Sequence, residues 1–268
     1  MRAKIKSALP ASLLNAYRAT RDSLEIAAEY PTARLHPWRV ESIRKLEALR
    51  DAHTGEQCVI IGNGPSLKNT DLTRLKNVFS IGMNRFYMAF ADLGFTTSLL
   101  LTVNDLVIEQ CAADLRSLPI PTFVSWRGRK HIQPAPNLHY LYTSYILPRF
   151  NRDATGRLWE GATVTFVAMQ LAYFMGFRQV ILVGVDHNFT TKGTPNTTVV
   201  STGDDPNHFH PGYFGQGFRW QLPDLETSEI AYRMAREAYQ KDGREILDAT
   251  VGGKLTVFPK VDFNTILA

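Results

Sequence analysis

Two cysteines, Cys58 and Cys111, are the only thiols in a chain of 268 residues. So few exclude a disulfide framework and fit a reducing, intracellular setting. Long hydrophobic runs are missing too. The longest, "VILVGV" and "FTTSLLLTV", fall far short of the about 20 residues a spanning helix needs, and no signal-peptide pattern opens the chain. The expectation is a cytoplasmic protein, at most peripheral at the inner face of a membrane. Two nucleotide signatures are absent as well. Reading from Gly62, the dinucleotide fingerprint needs glycine where Leu67 stands, and the Gly-Lys-Ser/Thr of a P-loop never comes, which disfavours classical hydride transfer and Walker-type ATP use. No HExxH and no tight histidine pair with a third ligand occurs, which argues against zinc. No basic run is interleaved with stacking aromatics, which argues against nucleic acid as a partner.

Positive charge is present, and it is concentrated. Residues 1–50 hold ten Lys/Arg against five acids, which accounts for the whole net charge of +5. Such an arm suits anionic headgroups or an acidic partner, or simply forms a solvated helix face. The spacing of Leu13, Leu14, Tyr17, Leu24, Ile26 and Ala27 predicts a helix. "PTARLHPW" interrupts it with two prolines before the pattern resumes. Residues 1–54 are therefore expected to be a basic helical extension, followed by one large unit over 55–268.

From residue 57 the pattern changes to short, unbroken apolar runs. Strands are expected at Gln57 to Ile61, Val78 to Met83, Thr97 to Val103, Thr122 to Ser125, Val180 to Val185 and Glu245 to Leu247. Strands apolar on both faces belong to a parallel sheet covered by helices. The fold class is thus α/β: a doubly wound, mostly parallel, Rossmann-like sheet. "ATVTFVAMQLAYFMGF" reads as a buried helix closed by Gly176, and "SEIAYRMAREAYQKDG" as a surface helix stopped by Gly243. Between them, residues 187–224 show no periodicity yet carry six aromatics from Phe189 to Trp220. A loop of that length and composition is expected to be a lid.

In open α/β sheets ligands bind beyond the carboxyl ends of the strands. Those ends here carry Gly62, Asn63, Gly64 and Ser66, then Asn84, then Asn104 with Asp105, then Asp186 with His187. The glycines allow close backbone approach and unusual dihedral angles. Each asparagine offers a donor and an acceptor together, suited to a sugar hydroxyl, a base edge or a phosphate. His187, His208 and His210 fall within 24 residues, three of the seven histidines. An imidazole in that loop is a candidate general base. Tyr142, Tyr145, Tyr213 and Arg219 are candidate donors to a leaving phosphate.

"IIGNGPSLKNTDLTRL" followed by "SIGMNRFYMAF" resembles the opening of the bacterial sialyltransferases of glycosyltransferase family 42. "GATVTFVAMQLAYFMGFRQVILVGVDHNF" and "ILDATVGGKL" are similar to segments of the Maf flagellin glycosyltransferases. The same core resembles the MptE-like 6-hydroxymethylpterin diphosphokinases. The resemblance covers about residues 55 to 258. It implies nucleotide contacts from Gly62, Asn63, Gly64, Ser66, Asn84, Asn104 and Asp186; the expected general base is His208 or His210, with Tyr213 a further catalytic candidate. The chain departs from the sialyltransferases after Asp186, where His187 and Asn188 replace aromatics.

The function this implies is metal-independent, inverting transfer of a sialic or related nonulosonic acid from a CMP-sugar donor to a cell-surface glycan acceptor, with no cofactor. The alternatives are an ATP- and Mg²⁺-dependent pterin diphosphokinase, or a non-catalytic module of polysaccharide assembly that meets the membrane through residues 1–50.

Overall fold

The chain was analysed as a computed structural model, which describes residues 11–191 and 193–266. Its strands, in chain order, are β1 (Gln57–Ile61), β2 (Ser80–Met83), β3 (Leu99–Thr102), β4 (Thr122–Ser125), β5 (Leu138–Leu141), β6 (Thr143–Ser144), β7 (Leu158–Trp159), β8 (Gln179–Val183), β9 (Thr198–Val200), β10 (Arg219–Gln221) and β11 (Glu245–Asp248). Seven of them form one sheet in the order β11-β8-β1-β2-β3-β4-β5, parallel at every pairing.

Burial along the strands explains the unbroken apolar runs. Cys58 and Ile60 of β1, with Val180 and Leu182 of β8, point into one core, while Val59, Ile61, Ile181 and Val183 point into another. Alternate side chains enter opposite faces, and both faces are covered, so every position must be apolar. One cover is the buried helix α4 (Val164–Phe174), with α5 (Leu225–Lys241) packed beside it through Ala231, Ala235 and Tyr239. The other is built from short helices, among them α3 (Asp105–Gln110), whose Val107 and Ile108 are buried.

Six of the seven sheet strands fall where the apolar runs predict them, with ends moved by no more than two residues. The seventh, β5, was not expected. Its sequence, Leu-His-Tyr-Leu, carries His139 and Tyr140 in place of an apolar run. Neighbours supply what the pattern does not: Tyr140 N donates to Ser42 Oγ at 2.9 Å, and Trp38 stacks on the Tyr140 ring.

Those neighbours belong to the N-terminal segment, where two expectations need correction. Pro31 does not interrupt the first helix: α1 runs Ala11–Leu35 straight through it, giving up one backbone donor. The break falls at His36, which caps α2 (Pro37–Glu47), with Pro37 in its first turn, where a missing N–H is tolerated. Nor does α2 behave as an appendage. Arg39, Ser42 and Leu46 are buried, Leu46 in the same core as Cys58 and Ile60, and the helix covers the β5 edge. Much of the basic excess is internally matched as well, since Arg44 pairs with Glu41 at 2.7 Å and Arg50 with Glu47 at 2.8 Å. Arg2, Lys4 and Lys6 lie outside the described residues.

Residues 187–224 contain an antiparallel pair, β9 with β10, and bury Tyr213, Phe214, Trp220 and Leu222 against the second core. The segment is therefore packed onto the sheet.

The winding direction reverses at β1. From β1 the chain proceeds outward to β5, then returns to place β8 and β11 on the other side. The crevice of such a sheet lies at that reversal, past the carboxyl ends of β1 and β8.

Candidate functional site

A cleft of about 800 Å³ opens at that reversal, a size typical of small-molecule sites. The turn after β1 and the turn after β8 form its floor. Gly62 N donates to Val183 O at 2.7 Å and Gly64 N to Gly184 O at 2.9 Å, so the two turns lie against each other. A Cβ on Gly62 would strike Gly184 O, and one on Gly64 would strike the Asp186 carboxylate. Gly64 has φ −67 and ψ 157, an ordinary extended conformation. The expected need for unusual dihedrals at these glycines is thus corrected: the neighbouring turn, at van der Waals range, excludes a side chain.

Ser66 and Asp186 form a strap across the same turns. Ser66 N donates to Asp186 Oδ1 at 3.1 Å and Ser66 Oγ to Asp186 Oδ2 at 2.6 Å. Burial pushes the Asp186 carboxyl above its ordinary value, against the opposing pull of the two Ser66 bonds. The "ILDATVGGKL" segment secures the strap from the other side, with Thr250 Oγ1 accepting from Val185 N and Lys254 N donating to Asp186 O.

The three asparagines reach the cleft from successive strands. Asn63 Nδ2 donates to Met83 O at 3.0 Å, and its Oδ1 is buried with no partner. Asn84 adopts φ 52, a left-handed conformation asparagine tolerates, and its Oδ1 accepts from Thr102 Oγ1 at 2.9 Å. Asn104 caps α3 by accepting from Leu106 N and Val107 N. Asp105, beside it, has a buried Oδ1 without a partner.

Of the loop histidines, the cleft takes His187 and His208. His208 Nδ1 lies 2.7 Å from Asp205 Oδ2. A carboxylate only accepts, so Nδ1 carries the proton, and in the neutral tautomer Nε2 is the acceptor nitrogen. Tyr213, with no exposed surface, stacks on the His208 ring at 4.0 Å. Its hydroxyl accepts from Arg85 N at 3.4 Å. Tyr213 therefore supports His208 from beneath and does not line the cleft. His210 does not line it either; its Nδ1 accepts from Gly212 N at 3.0 Å within its own turn. His187 Nε2 meets Glu229 Oε1 at 3.0 Å, and that bond holds the Glu229 carboxyl below its ordinary value.

Three bonds fasten the loop over the floor. Phe209 N donates to Asn63 O at 2.8 Å, and Arg85 Nη1 donates to Gly212 O at 3.2 Å and to Tyr213 O. Arg85 sits just past Asn84, yet sequence reading passed over it.

Of the far wall, sequence reading named only Tyr145 and missed Glu160 and Arg127. Buried Glu160 accepts from Arg127 Nη2 and from Thr143 Oγ1, both at 2.6 Å, and the Arg127 guanidinium lies 4.1 Å from the centre of the Tyr145 ring. Burial raises the Glu160 carboxyl while Arg127 opposes the rise. Arg127 lies two residues past the end of β4, so the strand-end rule applied to the fourth strand would have found it. Of the other candidate phosphate donors, Tyr145 lines this cleft, Tyr142 lines a different cavity, and Arg219 is paired with Glu109 at 3.0 Å.

No curated protein matches the chain. The solved structure of a Maf glycosyltransferase from Magnetospirillum magneticum AMB-1 aligns over 92% of this chain at 13% identity with a TM-score of 0.49. This chain spans 42% of that protein's length. The family model for 6-hydroxymethylpterin diphosphokinase MptE-like proteins matches residues 36–192, a stretch that runs from the cap of α2 through the floor of the cleft. Since that match takes in more than half of the chain, the protein belongs to the 6-hydroxymethylpterin diphosphokinase MptE-like family.

Proposed function

We propose that the protein is a transferase that holds an activated nucleotide donor over the β1 and β8 turns and moves its activated group to an acceptor hydroxyl. The observation that carries this reading is the His208–Asp205 pair opening onto the same cleft as Asn63, Asn84 and Asn104. A neutral imidazole whose Nδ1 proton is fixed on a carboxylate presents Nε2 as a base. The acceptor oxygen gives its proton to that nitrogen as it attacks the donor, and the bond to the nucleotide breaks with its electron pair leaving on the nucleotide's phosphate oxygen. Asn63 Oδ1 is a buried acceptor awaiting a donor, a state that costs about 1–3 kcal/mol and is relieved by a ribose hydroxyl or an exocyclic amine.

In its finer form the donor is a CMP-linked nonulosonic acid and the acceptor a cell-surface glycan. His208, set above the strand ends, is then the base for attack on the anomeric carbon, and the carboxamides hold the nucleotide. His210 and Tyr213 are assigned positioning roles through the loop that carries His208.

A second reading, diphosphoryl transfer from ATP to a pterin hydroxymethyl group, is favoured by the family match itself. That chemistry uses Mg²⁺, which when bound would neutralise phosphate charge and would need at least one carboxylate of the chain near the phosphates. Among the described residues no three His, Cys, Asp or Glu side chains cluster as a metal cage. Asp105 lies beside the cleft with its Oδ1 buried and unpartnered, but its Oδ2 already faces Arg127 at 3.6 Å and Lys130 at 3.9 Å, so it fits a metal-holding role poorly.

A thermal-shift screen separates the two. CMP raising Tm without metal, with ATP inert, selects glycosyl transfer; a shift seen only with ATP and Mg²⁺ selects the kinase. In either case His208→Ala is expected to lower kcat by about 10²–10⁴-fold while leaving nucleotide affinity within about threefold. A fully active His208→Ala protein would remove the assignment of the base.

A further inference from the structure

A second cavity, of about 330 Å³, lies between α1 and the segment that precedes α4. Arg34, on α1, reaches it together with Arg149 and Arg157. None of the three forms an ion pair with a carboxylate among the described residues. Their bonds go to backbone carbonyls: Arg34 to Thr155 O at 3.4 Å, Arg149 to Arg157 O at 3.4 Å, and Arg157 to Ile146 O at 2.7 Å and Leu147 O at 3.4 Å. Tyr142 also lines the cavity. It is 2% exposed, and its hydroxyl has no hydrogen-bond partner. Three guanidinium groups line one cavity with a buried, unsatisfied hydroxyl, a set of donors that suits an oxyanion. Ile26 and the half-exposed Tyr30 ring make the rest of the wall apolar.

We propose that this cavity is a binding site for a phosphate monoester carried on an apolar body, separate from the strand-end cleft and independent of the function proposed above. Guanidinium groups bind phosphate through paired, charge-assisted hydrogen bonds, and Tyr142 supplies a further donor. The uncompensated charge is felt locally: burial, helped by Arg149, lowers the Arg157 pKa.

The test is calorimetric titration of the full chain with n-octyl phosphate and with inorganic phosphate. Saturable binding of octyl phosphate, tighter than that of inorganic phosphate, is expected. Arg149 is exposed, so Arg149→Glu preserves the fold; it should weaken octyl phosphate by more than tenfold, and Tyr142→Phe by about tenfold. His208→Ala, in the other cleft, should leave binding unchanged. Sedimentation with phosphatidic acid vesicles, but not with phosphatidylcholine vesicles, and lost in Arg149→Glu, assigns the phosphate to a lipid headgroup. Octyl phosphate binding without vesicle binding assigns it to a soluble ester. No saturable binding of octyl phosphate, or binding that Arg149→Glu leaves intact or that His208→Ala abolishes, overturns the proposal.

Discussion

Gly62, Asn63, Gly64 and Ser66 stand out in the sequence as a break after a strand, but their individual roles depend on a turn more than a hundred residues away. Ser66 appears free to meet a ligand until Asp186 is placed opposite it. Asp186 in turn has a consequence that can be measured. Its carboxyl is raised by burial, so between the ordinary value of 3.8 and the higher folded value the native state holds a proton the unfolded chain has lost. Stability contributed by this group is therefore full below that window and falls as pH rises through it. Asp186→Asn removes the fall. The Tm difference between variant and wild type should become more favourable to the variant as pH rises across the window, and a difference independent of pH would contradict the raised carboxyl. Residues whose role depends on a distant partner, such as Arg85 under the loop and Glu160 against Arg127, leave no local trace in the sequence.

Among the elements, periodicity located the strands because each one is covered on both faces and must be apolar throughout. It missed β5, an edge strand supported by Ser42 and Trp38 of α2. Prolines 31 and 37 make the same point about helices. Both are breakers by type, yet only the one in a first turn marks a boundary. The integration of α2 is testable by contrast. Leu46, with no exposed surface, should lose about 2–5 kcal/mol on truncation to alanine, whereas Leu24 on α1, 65% exposed, should change stability by less than about 0.5 kcal/mol. Denaturant unfolding of the two variants measures both. Equal and small effects would mean that α2 does not pack on the core.

For the molecule as a whole, one sheet carries two cores, and Cys58 lies at the centre of the first, with no exposed surface. Burial alone pushes its thiol well above the usual range, and the thiolate is the reactive form. A thiol reagent should therefore modify Cys58 only at the rate of global unfolding, and its labelling should track the denaturant midpoint; rapid labelling of the native protein would show that this core opens locally. The sequence by itself determined the class of fold, because fully covered parallel strands leave unbroken apolar runs, and it determined which strand ends carry polar groups, because those ends interrupt the runs. Only the tertiary structure decided which of those groups share a cleft, that His208 with Asp205 faces it while His210 and Tyr213 do not, and that α2 is part of the body. Those outcomes depend on the order in which strands lie side by side and on contacts between residues far apart in the chain, where hydrogen-bond partners and burial are set by neighbours that no local pattern names.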